Sequence, residues 1–188
     1  MSDETSLHQT RHRSRWSVKE YLGQHPQDRM LTVGCGQTPE QVTMGSMGVS
    51  EIPCSLGRRH EHDFTVDISP DAHADLTMDF ILYSGSDLYR HGENQFDTVS
   101  FEYLNRGPKN PFKDAHIDLW ISGANKLLRR NGRILFYSFD DGYIGAAKNA
   151  MLRLGYKVEE KQEEPNGTAE NRYGHRYCQG TKPTSWLW

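Results

Sequence analysis

Short apolar runs alternate along the chain with polar turns and with stretches of helical spacing. Met30–Val33 places Leu31 and Val33 as the apolar residues of a short buried strand, and Gly34-Cys35-Gly36 turns the chain immediately after it. Asp63–Ser69 has Phe64, Val66 and Ile68 at every second position, and Pro70 stops it, which predicts a second strand. Ala72–Leu76 reads as a short third strand, Phe96–Leu104 as a fourth with Phe96, Val99 and Phe101 inward, and Arg133–Phe139 as a fifth, apolar enough to be central. Tyr156–Glu160 begins a sixth. Pro165-Asn166-Gly167 then predicts a hairpin returning through Tyr173–Cys178.

The helical pattern is clearest in Ala115–Arg130. Ile117, Leu119, Trp120, Ala124, Leu127 and Leu128 recur near helical spacing there, Arg129 and Arg130 suit the last turn, and Asn131-Gly132 supplies a stop. Tyr143–Leu154, ended by Gly155, is the next helix. Near the start, Ser17 and Glu20 form a capping-box pair for a short helix through Leu22, with Gly23 and Pro26 ending it. Ser84–Asn94 reads as a helix fragment or loop, and Gln37–His62 as a short helix followed by an irregular loop. Asn105 to Pro111 breaks the chain after the fourth strand.

At 188 residues the chain has room for one core. The predicted layout is a basic arm and short helix at 1–25, then a single domain at 26–188. No run is long enough to span a bilayer and no apolar leader is visible. The cysteines, Cys35, Cys54 and Cys178, are odd in number and fit no zinc spacing. Reduced thiols and a cytoplasmic protein are therefore expected, with no membrane partner. A net charge of −3 does not suggest a globally basic nucleic-acid binder. Arg11, His12, Arg13, Arg15 and Lys19 leave phosphate contact open to the arm, but a solvated leader is the plainer reading.

An apolar strand entering a glycine turn is how open α/β sheets approach a nucleotide. An acid closing the next strand then meets ribose hydroxyls. Asp67 stands there, about ten residues later than usual, and its competing reading is a cap on the following turn. Asp75 ends the third strand, where ordinary turn chemistry is the stronger reading. Cys35 reads as a small packed residue. His60, Glu61, His62 and Asp63 are adjacent and so do not build a closed metal site, and none is predicted. His175 and Cys178 lack the nucleophile loop a Cys-His hydrolase needs.

Taken in order, MLTVGCG, FTVDISP, ADL, QFDTVSFEYL and LLRRNGRILFYS resemble the class I S-adenosylmethionine-dependent methyltransferases, over Met30 to about Val158. The resemblance implies an α/β, Rossmann-like, doubly wound and mostly parallel seven-stranded sheet with a C-terminal antiparallel hairpin. It implies S-adenosylmethionine as cofactor, with the backbone of Gly34, Cys35 and Gly36 beside its methionine part and ribose. Asp67 would hold the ribose hydroxyls, Ile68 would lie on the adenine face, and Asp75 and Leu76 would meet the adenine edge. Phe101 and Glu102 would floor the site beside the sulfonium.

Glu102 is then the candidate base or substrate anchor and Tyr103 lines the pocket, though Glu102 also reads as a loop cap and Tyr103 as packing. Two positions depart from the family pattern. Thr32 replaces an acid and Thr38 a glycine. The acceptor expected is a small molecule or a modest peptide or protein. The Asn-Pro-Pro-Tyr type of motif is absent, which disfavours nucleic acid. A non-catalytic cofactor-binding protein is the alternative function, and a nicotinamide-dependent oxidoreductase a weaker one.

Overall fold

A computed structural model describes residues 16–35, 62–104, 109–164 and 174–184. Gly36, Thr38, most of the 37–62 connection, Cys54, Asn105, the 165–167 turn, the arm before Trp16 and the last tryptophans lie outside the described residues.

Seven strands form one sheet in the order β3-β2-β1-β4-β5-β7-β6. They are β1 (Met30–Val33), β2 (Asp63–Asp67), β3 (Leu76–Thr77), β4 (Phe96–Glu102), β5 (Leu128–Tyr137), β6 (Lys157–Glu163) and β7 (His175–Thr181). β3, β2, β1, β4 and β5 run parallel, while β7 pairs antiparallel with both β5 and β6. The fold is thus a Rossmann-like α/β sheet, mostly parallel, with an antiparallel C-terminal pair. Sequence order reverses between β1 and its two neighbours. In open α/β sheets a crevice opens beyond the carboxyl ends of the strands at such a point.

Register sorts the side chains by face. Leu31, Phe64 and Val99 stand side by side, as do Val33, Val66 and Phe101. This apolar face continues through Ile134, Phe136 and Cys178 and is buried under α3 (Asp114–Leu127) and α4 (Asp141–Arg153). Ile117, Trp120, Ile121, Ala124 and Leu127 are the inward stripe of α3. The face also receives α1 (Val18–Gln24). Val18 and Tyr21 of α1 belong to the same core, and Tyr21 packs edge-on to Phe64 at 5.6 Å. The capping box expected at Ser17 and Glu20 is present, with Ser17 Oγ accepting from Glu20 N at 3.2 Å and Glu20 accepting from Ser17 N at 2.9 Å. α1 runs through Gly23 to Gln24, one turn position past the expected stop. α2 (Asp87–His91) is the helix fragment within 84–94, and Leu88 anchors it.

Two boundaries differ from expectation. The third strand is only Leu76–Thr77, because Pro70–Ala72 forms a 3-10 turn and His73 takes φ 49°. α3 ends at Leu127, so Arg129 and Arg130 are not its last turn. Leu128 is already extended, and Asn131 and Gly132 lie within β5 where its register against β4 shifts. The α3 end is held instead by Lys182, whose Nζ donates to the Asn125 and Leu128 carbonyls at 2.6 and 2.7 Å. Arg129 pairs with Asp97, which also accepts from Arg29 N at 2.9 Å. Phe139, expected in the fifth strand, lies beyond it and is 59% exposed.

Candidate functional site

Gly34 begins the site. Its φ is +80°, a conformation that costs glycine little and a side chain much. A Cβ there would strike the Leu104 side chain and stand 3.0 Å from the Glu102 carbonyl. Gly34 N donates to Val66 O at 2.8 Å. The turn is thereby fixed against the ends of both β2 and β4.

Cys35 follows, buried against Ala72 and Ala74. Its thiol is pushed up to about 12, first by burial and then by the charges of Asp67, Glu102 and Asp75. Charges on β2, in the turn before β3 and on β4 thus act on the β1 turn. The thiol is a neutral packed group, not a nucleophile.

The three acids are engaged differently. Asp67, half-buried, accepts from Ser69 N at 2.9 Å through Oδ1, and its backbone carbonyl accepts from Met78 N at 2.9 Å. The turn-capping contact is real, and the same carboxylate lies within electrostatic reach of Cys35. Asp75 braces the fold. Oδ1 accepts from Trp16 N at 2.9 Å, and Oδ2 accepts from Thr65 N at 2.8 Å and Thr65 Oγ1 at 2.9 Å. Glu102 is fully buried and accepts from Ser100 Oγ at 3.2 Å. Beside them Ile68 is 66% exposed, while Leu76 is partly buried against the core.

Phe101 differs from the expectation that it would floor the crevice. Its ring is wholly inside the core, 5.6 Å from Phe80, 6.2 Å from Trp120 and 5.8 Å from Phe136. Strand alternation sends 99 and 101 to the helix-covered face and 100 and 102 to the other, which is why the Phe101 ring lies in the core. Thr32 is buried on the Ser100 side and donates to Asp63 Oδ2 at 2.7 Å. An acid thus reaches Thr32 from the neighbouring strand, at the level of Met30.

Tyr103 has φ +48° and 6% exposure. Its hydroxyl is 2.7 Å from His175 Nδ1, and its ring stacks on Phe139 with centroids 4.5 Å apart and planes 19° from parallel. Burial, then Glu102 and Glu163, push the Tyr103 hydroxyl upward. Tyr137 and Tyr177 stack beside this pair at 4.6 Å. Of these aromatics, sequence reasoning points to Tyr103 alone, as a pocket-lining residue. The hairpin signal predicted β7, but not that β7 would pair with β5 and bring His175 to Tyr103.

His175 and Cys178 do not meet. Cys178 is buried on the apolar face with its thiol toward the Ile144 carbonyl, and burial first, then Glu160, pushes that thiol up to about 12. Among the described residues no group of three His, Cys, Asp or Glu is placed to hold a metal ion, and no helix is long and apolar enough to cross a membrane.

No protein-family model and no curated protein matches the sequence. Solved structures do align with it. A precorrin-6y C5,15-methyltransferase from Geobacter metallireducens is 13% identical, with TM-score 0.48 over 86% of this chain and 85% of its own. The N-methyltransferase NodS from Bradyrhizobium japonicum, solved with S-adenosyl-L-homocysteine, is 14% identical, with TM-score 0.47 over 83% of this chain and 78% of its own. A spermidine synthase from Thermotoga maritima is 13% identical, with TM-score 0.45 over 84% of this chain and 55% of its own. The fold assignment rests on the strand order itself.

Proposed function

We propose that the crevice beyond β1, β2 and β4 binds S-adenosylmethionine and that the protein is a methyltransferase for a small molecule or a modest peptide or protein acceptor. One observation carries this reading. β1 lies between β2 and β4, and the Gly34 turn is bonded to Val66 and packed on the Glu102 carbonyl, beside the strand ends that carry Asp67 and Glu102. Carboxylates clustered at a backbone turn favour a ligand bearing positive charge and hydroxyl donors. The resemblance of MLTVGCG, FTVDISP and FDTVSFEYL to the methyltransferase pattern supports the same ligand.

Bound there, the cofactor would supply an electrophilic methyl carbon on a sulfonium. The chain's own residues would position it. Gly34 and Cys35 would present backbone to the methionine part, with Gly34 held close against Leu104 and the Glu102 carbonyl. Asp67, fixed by Ser69 N, would take the ribose hydroxyls, and the exposed Ile68 would cover the adenine. Glu102, buried under the turn, would give the floor its negative charge, and Tyr103 would set the acceptor wall. Positioning of this kind lowers the barrier by prepaying orientation.

Calorimetric titration with S-adenosylhomocysteine tests the reading. Binding to the wild type and at least tenfold weaker binding to Asp67→Ala are expected. No binding at millimolar nucleoside would contradict it.

A second reading, cofactor binding without transfer, is favoured by Thr32. Its hydroxyl is committed to Asp63, so no acid stands at position 32 itself. Mass spectrometry for methyl transfer onto cell-extract acceptors separates the two. A methylated product selects the enzyme, and tight nucleoside binding with no product selects the binder.

A further inference from the structure

The end of the sheet at β4, β5 and β7 carries an exposed aromatic surface beside the crevice. Tyr103 and Phe139 follow the last residues of β4 and β5, and their rings are stacked nearly parallel. Tyr103 is the inner ring, buried and fixed by its hydroxyl contact to His175 Nδ1. Phe139 is the outer ring and is 59% exposed. An aromatic side chain this exposed, held flat on a buried ring, presents a rigid π-face to solvent at small entropic cost.

Two acids act on the inner ring of the stack. Tyr103 feels Glu102 and Glu163, both raising its hydroxyl after burial has done so. Glu163 stands opposite His175 in the β6–β7 register, and it also acts on Tyr177. Among the described residues, Lys161, opposite Tyr177, pairs with Glu159 at 3.7 Å. Arg176 pairs with Asp141, and Arg133, felt at Tyr177, lies four residues down β5 from Tyr137. The stack also adjoins the crevice, because residues 102 and 104, on either side of Tyr103, both close on Gly34.

We propose that the Phe139–Tyr103 stack is the acceptor platform, and that it takes a small planar aromatic or heteroaromatic ring carrying no negative charge. The ring lies on the outer face of Phe139, and the Glu102–Glu163 side rejects carboxylated analogues and favours ammonium-bearing ones. As an acceptor site this rests on the methyltransferase reading, whereas ring binding can be measured without it.

The test uses three probes that share one ring and differ in charge: indole, tryptamine and indole-3-acetate. Each is titrated by calorimetry at low ionic strength, with and without saturating S-adenosylhomocysteine. Tryptamine and indole are expected to bind at least tenfold tighter than indole-3-acetate. Phe139→Leu should weaken indole at least tenfold while leaving S-adenosylhomocysteine affinity unchanged, and Phe139→Trp should retain indole. Glu163→Gln should narrow the gap between tryptamine and indole-3-acetate.

Unchanged indole binding in Phe139→Leu, equal binding of the anionic probe, or no ring binding at millimolar concentration would overturn the platform. Ring binding without nucleoside binding would instead reject the cofactor reading and leave the platform standing.

Discussion

At the scale of single residues, similar sequence signals lead to different ends. By sequence Asp67 and Asp75 each close a strand before a turn, whereas in the fold Asp67 ends β2 and Asp75 stands just before β3. Yet Asp67 holds a local N–H two residues on, and Asp75 reaches Trp16, 59 positions away in the chain. The long-range donor decides the outcome, and nothing near Asp75 announces it. Thr32 is similar, since its partner Asp63 becomes its neighbour only when β1 and β2 pair.

The thiols make a pH prediction. Cys35 and Cys178 have an ordinary value of 9.0 and are held up to about 12 in the fold, chiefly by burial. Their contribution to stability is complete below pH 9 and is lost as pH rises from 9 toward 12, at about 1.4 kcal/mol per pH unit for each thiol. Urea unfolding at pH 8 and pH 10 should show this loss, and the double variant Cys35→Ala, Cys178→Ala should lose less over the same interval. Site-resolved alkylation by iodoacetamide at pH 8.5 should leave both residues unmodified in the folded chain and label them after unfolding.

Among elements, type was legible and ends were not. Apolar spacing identified the helix over 115–130 and the strand over 133–139, because burial on the sheet imposes those periods. The junction between them depends on Lys182, which arrives 54 residues later to satisfy the Leu128 carbonyl. Arg129 and Arg130, well placed for a helix end by sequence, are not needed there. Lys182→Met should destabilise the protein by about 1.5–3 kcal/mol, since it leaves buried carbonyls without a charged donor.

The joint of α1 with the sheet is comparable. Tyr21 Oη donates to His62 O at 2.9 Å and accepts from Met30 N at 3.0 Å, tying the helix to the starts of β1 and β2. Tyr21→Phe keeps the ring and should cost about 1–3 kcal/mol in denaturant unfolding. A cost near zero would show that the helix is merely apposed to the sheet.

For the molecule as a whole, apolar runs and one turn signal gave the strands and the closing hairpin, and the resemblance to the methyltransferase pattern implied the parallel core. The pairing of β7 between β5 and β6 was not legible, and with it went the Tyr103–His175 contact and the exposed Phe139 stack. Local patterns fix which segments are strands, whereas their neighbours are chosen by long-range packing. The consequence for function is spatial. Strand order puts β2 and β4 on either side of β1, so the Gly34 turn looks out between Asp67 and Glu102. Phe101, whose position in the motif marked it for the crevice, supports it from beneath as part of the core. Phe101→Ala should therefore act on stability, by about 3–5 kcal/mol, and not selectively on nucleoside affinity in the molecules that remain folded.

A crystal structure with S-adenosylhomocysteine bound would examine the crevice most directly. The ribose hydroxyls should lie in hydrogen-bond contact with the Asp67 carboxylate, the adenine against Ile68 and the amino-acid tail beside the Gly34 backbone. A nucleoside seated elsewhere, with Asp67 and Gly34 untouched, would contradict the assignment.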